Sequence, residues 1–110
     1  LSAEAASLLV PRNMRSYGVG YVWQTDARLR HPTALMMTEQ QVEASLAAIK
    51  TPALFVRAEE GLLTYRKGLD QRAALIPELT TVDVPGGHHC HLDGDTTPVS
   101  DAIKRFLFDV

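Results

Sequence analysis

A chain of 110 residues and 12.1 kDa is the length of one ordinary domain, which excludes a multidomain enzyme and a barrel fold of typical enzyme size. With 45% hydrophobic and 22% charged residues it reads as a compact, soluble globular chain, neither disordered nor collagen-like. A formal charge of −2 predicts no nucleic-acid partner and no membrane partner, and no apolar run approaches the roughly 20 residues needed to span a bilayer.

A single cysteine, Cys90, cannot form an internal disulfide, which suits a reducing compartment and leads us to expect a cytoplasmic protein. The chain begins Leu1-Ser2-Ala3 rather than with Met, so processing or derivation from the C-terminal part of a longer protein is expected.

In chain order, Ala3 to Val10 predicts a short helix that Pro11 ends. Residues 11–37 mix Arg12, Arg15, Arg28, Arg30 and His31 with Tyr17, Tyr21, Trp23 and glycines and keep no period, so they read as irregular. Thr38-Glu39-Gln40-Gln41 has capping-box spacing and opens a helix whose apolar face is Val42, Leu46 and Ile49, closed at Thr51-Pro52. The apolar run Ala53-Leu54-Phe55-Val56 predicts a strand covered on both faces. A helix over Leu62 to Ile76 and a second strand over Leu79 to Val84 follow, the strand being broken by Pro85-Gly86-Gly87. Thr97-Pro98 predicts an N-cap and first turn for a final helix to about Asp109, with Val99, Ile103, Phe106 and Val110 on one face. The fold class is therefore α/β, a parallel βαβ unit with a closing helix. Residues 1–50 form a helical and irregular portion, and residues 51–110 the core. Two parallel strands make a marginal sheet, so the pattern asks for more strands than the chain contains.

Both strand ends carry chemistry. Gly86-Gly87-His88-His89-Cys90-His91-Leu92-Asp93 follows the second strand, and Arg57-Ala58-Glu59-Glu60-Gly61 follows the first. A right-handed parallel crossover brings both loops to one edge, where open α/β sheets place their sites. A carboxylate can there orient an imidazole acting as general base.

At these residues the sequence resembles the C-terminal part of the α/β-hydrolase superfamily, over most of the chain. Ala-Leu-Phe-Val-Arg-Ala-Glu-Glu-Gly and Val-Pro-Gly-Gly-His-His-Cys-His-Leu-Asp stand where that family carries its acid and its histidine, in the order it uses. The stretch Gly-Tyr-Val-Trp-Gln-Thr-Asp-Ala-Arg-Leu from Gly20 looks like the exit from the cap of lidded, serine-hydrolase-like members, making residues 1–50 a cap remnant and connecting helix. The resemblance implies His88 as catalytic imidazole and Glu60 as its acid, where Asp is commoner and Glu59 is the neighbouring alternative. In a lid, Trp23, Met36 and Met37 would contact substrate; otherwise such residues are ordinary core. No Gly-x-Ser-x-Gly occurs in these residues, so the nucleophile elbow is absent from them.

The resulting expectation is the C-terminal portion of a serine hydrolase that cleaves ester or related acyl bonds of a small-molecule substrate. It needs no cofactor, takes the N-terminal half of the fold as partner, and is inactive by itself. The alternatives are a non-catalytic hydrolase-like binding or interaction protein and a metal site. For metal binding, His88, His89, Cys90, His91 and Asp93 are nearly consecutive, so at most two or three reach one ion.

Overall fold

The computed structural model describes residues 1–108, so Asp109 and Val110, assigned to the final helix by the sequence pattern, lie outside the described residues. The chain forms two compact units, Leu1–Met36 and Met37–Val110.

In the first unit, α1 (Ala3–Asn13) is capped by Ser2, whose hydroxyl accepts the Ala5 amide at 3.1 Å. The helix does not stop at Pro11 as the sequence suggests. Proline forfeits only one backbone bond in the last turn, and that turn is held by the Met14 amide on the Val10 carbonyl and the Asn13 side chain on the Leu9 carbonyl. The stretch expected to be irregular contains an antiparallel hairpin, β1 (Met14–Tyr17) and β2 (Gly20–Trp23), with Tyr17 paired to Gly20 across a two-residue loop. Tyr17, Tyr21, Val22 and Trp23 are strand formers, and their signal is hidden in strands only four residues long. A short 3₁₀ helix over Ala27–Arg30 is capped by Asp26.

The second unit begins with α2 (Glu39–Ala47), where the expected capping box is present: Thr38 Oγ1 accepts from the Gln41 amide while Gln41 Oε1 accepts from the Thr38 amide. Strands β3 (Ala53–Glu60) and β4 (Leu79–Gly87) pair in parallel, with Ala53 opposite Leu79 and Ala58 opposite Val84. Both strands outrun their apolar sequence signals. The long helix expected over Leu62 to Ile76 shrinks to α3 (Leu69–Ala73). Thr64 turns its hydroxyl back onto the Ala58 and Glu59 carbonyls, which folds the segment after β3 into turns. Gly68 then adopts φ 82°, a left-handed conformation that interrupts any continuous helix.

Alternation along β3 and β4 divides the sheet into two faces. Leu54, Val82 and Val84 join Pro98, Ala102 and Phe106 of α4 (Thr97–Phe108) around one cleft, and α4 packs on both strands. Val84 at 2% exposure and Ala102 at 8% form the centre of this layer. On the opposite face Arg57 lies directly across from Asp83 and grips it with two bonds, Nε to Oδ1 at 2.6 Å and Nη2 to Oδ2 at 3.0 Å. Its remaining nitrogen, Nη1, donates to Asp70 of α3 at 2.7 Å. This fork ties both strands to α3, while Arg72 of α3 holds Glu39 of α2 through two further bonds.

Replacing Val84 with Ala removes two methyl groups from the tightest site and is expected to lower unfolding free energy by about 2 kcal/mol, read from urea titration. The Arg57 guanidinium holds the Asp83 carboxyl below its ordinary value. The stabilisation from this pair is therefore complete above about pH 4 and is lost as pH falls through the depressed value. Asp83→Asn should lower the thermal midpoint at neutral pH and narrow the gap to wild type in acid.

Candidate functional site

The site lies where β3 and β4 end. Ala58 pairs with Val84, but the next pair is Glu60 with Gly87, so two steps along β3 match three along β4. The extra residue falls in Pro85-Gly86, a bulge that lets β4 continue through the segment expected to break it. Gly86 has φ 100°, a conformation that a side-chain-bearing residue adopts only under strain, and a Cβ there would stand 3.7 Å from that of Cys90.

Beyond the bulge the chain coils into successive turns. The Cys90 amide donates to the Gly87 carbonyl at 3.0 Å, and the Leu92 and Asp93 amides both donate to the His89 carbonyl at 2.8 Å. The loop then feeds α4, whose first residue Thr97 donates its amide to Asp95 Oδ1 at 2.9 Å. Thr97 is thus the first residue of the helix rather than its cap, and hydrogen bonding from its side chain and then its amide holds the Asp95 carboxyl below its usual range.

The structure brings the two candidate catalytic positions to the same sheet edge: Glu60 sits opposite Gly87, the residue preceding His88. It also separates the adjacent glutamates. Strand alternation assigns Glu59 to the face of Arg57, where it lines a cleft with Leu63, Leu69, Asp70 and Asp83. Glu60 alternates to the other face, that of Val56 and Ala58, and is not among the residues lining the cavity that His88 shares with Val56, Arg57 and Ala58. Among the described residues no hydrogen bond or ion pair joins Glu59 or Glu60 to His88, so the proximity rests on backbone register.

The cavity beside His88 has a volume of about 270 Å³ and is lined by Val56, Ala58, Leu62, Leu63 and Val99 together with Arg57, with Cys90 and His91 near His88. Sequence reading missed this wall. The spacing predicts a helix through Leu62 and Leu63, whereas the turn after β3 lays them beside the histidine loop. The imidazoles of His88 and His89 meet edge to face at 4.8 Å, and those of His89 and His91 are 5.9 Å apart. Among the described residues no three His, Cys, Asp or Glu side chains converge on a common point suited to a metal ion. Trp23, Met36 and Met37 are 68%, 82% and 57% exposed. Among the described residues no helix is long and apolar enough to cross a membrane.

No protein-family model matches the chain. It is 28% identical over 113 aligned positions to a serine hydrolase-like protein of Danio rerio, covering 97% of this chain and 34% of that protein. The chain therefore spans about a third of the length of the curated relative that it matches. Among solved structures it is similar to a hypothetical protein of Pseudomonas aeruginosa PAO1, with 32% identity, a TM-score of 0.82 and coverage of 99% of this chain and 38% of that one. It is also similar in fold to the thioesterase domain from the curacin biosynthetic pathway, at 24% identity and a TM-score of 0.68, over 94% of this chain and 36% of that one. Together with the parallel βαβ crossover and its closing helix, these likenesses identify the chain as having the fold of the C-terminal portion of an α/β-hydrolase-like protein.

Proposed function

We propose that this chain supplies the general base and its orienting acid to a serine hydrolase acting on ester or related acyl bonds. His88 is the base, Glu60 the acid, and the nucleophilic serine lies in sequence outside these 110 residues. The observation that carries the reading is the pairing of Glu60 with Gly87, which seats a carboxylate-bearing position beside the histidine loop at the carboxyl edge of a parallel sheet. The resemblance to a serine hydrolase-like protein supports the same reading.

In this mechanism the serine Oγ attacks the carbonyl carbon while His88 accepts the hydroxyl proton. His88 then passes that proton to the departing alcohol or thiol, leaving an acyl-serine ester. Water attacks the ester, gives a proton to His88 and releases the carboxylic acid, and the proton returns to the serine. Glu60 acts through His88: it fixes the imidazole tautomer and stabilises the imidazolium formed in each half-reaction. The bulge at Pro85-Gly86 serves the same chemistry by re-aiming the chain so that His88 follows Gly87 at the strand end.

In the full-length protein, His88→Ala should abolish labelling by a fluorophosphonate probe and lower kcat by at least about a thousandfold. Equal labelling of variant and wild type would remove His88 from the mechanism and favour a non-catalytic hydrolase-like binding protein. Glu60→Gln should lower kcat by roughly a hundredfold or more, while Glu59→Gln, on the Arg57 face, should change it by less than about threefold. The reverse order would assign the acid to Glu59.

A further inference from the structure

We infer that Thr64 is a positioning residue for the acid of this site: its hydroxyl fixes the peptide from which Glu60 departs and so narrows the directions open to the Glu60 carboxylate. This deepens the hydrolase reading above and rests on its assignment of Glu60.

Glu60 is the last residue of β3 and pairs with Gly87 beyond the bulge, so no further ladder restrains it. The turn that follows supplies the restraint. The Ala58 carbonyl accepts the Gly61 amide at 3.0 Å and the Thr64 hydroxyl at 3.0 Å, and the Glu59 carbonyl lies 3.2 Å from the same hydroxyl. The Thr64 amide donates in turn to the Gly61 carbonyl at 3.1 Å, which closes the loop on itself. One hydroxyl hydrogen is thus shared between two consecutive carbonyls. The second carbonyl matters more to the site, because the Glu59 carbonyl and the Glu60 amide belong to one planar peptide unit. Restraining that oxygen restrains the plane, and with it the direction in which the Glu60 side chain leaves the strand.

Gly61 completes the clamp from the inside. It is buried while residues 62–67 are exposed, and a Cβ there would stand 3.1 Å from both the Cβ and the carbonyl oxygen of Ala58. Ordinary contact is wider than this, so alanine at position 61 would push the turn away from the very oxygen that holds it. Thr64 itself lines the cleft of Arg57 and Glu59, not the hollow beside His88. Any rate change on its substitution must therefore pass through the acid. Water competes for the hydroxyl at this exposed position, which sets the expected effect at several-fold and not a thousandfold.

The test is a double-mutant cycle in the full-length protein, read as the second-order rate constant of labelling by a fluorophosphonate probe. Thr64→Val keeps the shape and removes the hydroxyl, and should lower that constant about three- to tenfold. Thr64→Ser keeps the hydroxyl and should stay within about twofold of wild type. On the Glu60→Gln background, where no carboxylate remains to be aimed, Thr64→Val should cost less than about twofold. Gly61→Ala displaces the same turn, should show the same dependence on Glu60, and decides the matter if Thr64→Val does not fold. A Thr64→Val variant as fast as wild type, a Thr64→Ser variant as slow as Thr64→Val, or losses of equal size on both backgrounds would overturn the positioning role while a slow Glu60→Gln variant still upheld the acid. Labelling of Glu60→Gln at the wild-type rate would overturn the acid assignment and the positioning role with it.

Discussion

The parallel register of β3 and β4 is the constraint on which the rest of the second unit depends. Because Ala53 pairs with Leu79 and the ladder runs on to Ala58 and Val84, every side chain along the two strands is committed to one face or the other. A slip of β4 by one residue against β3 would send Asp83 to the α4 side and Val82 and Val84 to the side of Arg57. The interaction that opposes such a slip is the fork of Arg57 on Asp83, two directly opposed residues that meet through two bonds. The same guanidinium reaches Asp70, so the placement of α3 follows from the register too.

The bulge turns that register into a site. Without it, strict pairing would continue β4 past the end of β3 with His88 one position out of step. With the additional residue at Pro85-Gly86, Gly87 draws level with Glu60 and the chain coils at once into the histidine loop. The loop after β3 is held with comparable care, since Thr64 ties it to the Ala58 and Glu59 carbonyls and thereby brings Leu62 and Leu63 to the cavity wall. Strand ends, bulge and turn thus form one constructed edge on a sheet with little burial of its own. Val84 is the one large side chain fully buried among the described residues.

Elements with strong local signals were legible in the sequence. The Thr38 box, the apolar run of β3 and the amphipathic final helix appear where spacing and residue type place them. Elements that depend on a partner were not. The hairpin strands are short and highly exposed, so neither has a periodic pattern to read, and they are defined by pairing with each other. Pro11 and Pro85 looked like stops, but proline removes only one donor, and a last helical turn or a bulge can spare it. The segment after β3 has helical spacing at Leu62, Tyr65 and Leu69, yet the Thr64 side-chain bonds and the left-handed Gly68 override it.

For the site, the sequence by itself determined which residue types stand after each strand and in what order: glutamates after the first, a glycine pair and a histidine after the second. That follows from composition and topology, because a parallel crossover must bring both carboxyl ends to one edge. Only the tertiary structure decided to which strand face each glutamate alternates and what surrounds the imidazole. The face is set by counting from a register and its bulge, and the apolar wall is assembled from residues 43 positions apart, from Val56 to Val99. Neither quantity is a property of any local stretch of chain, and that is the physical reason the sequence could not supply them.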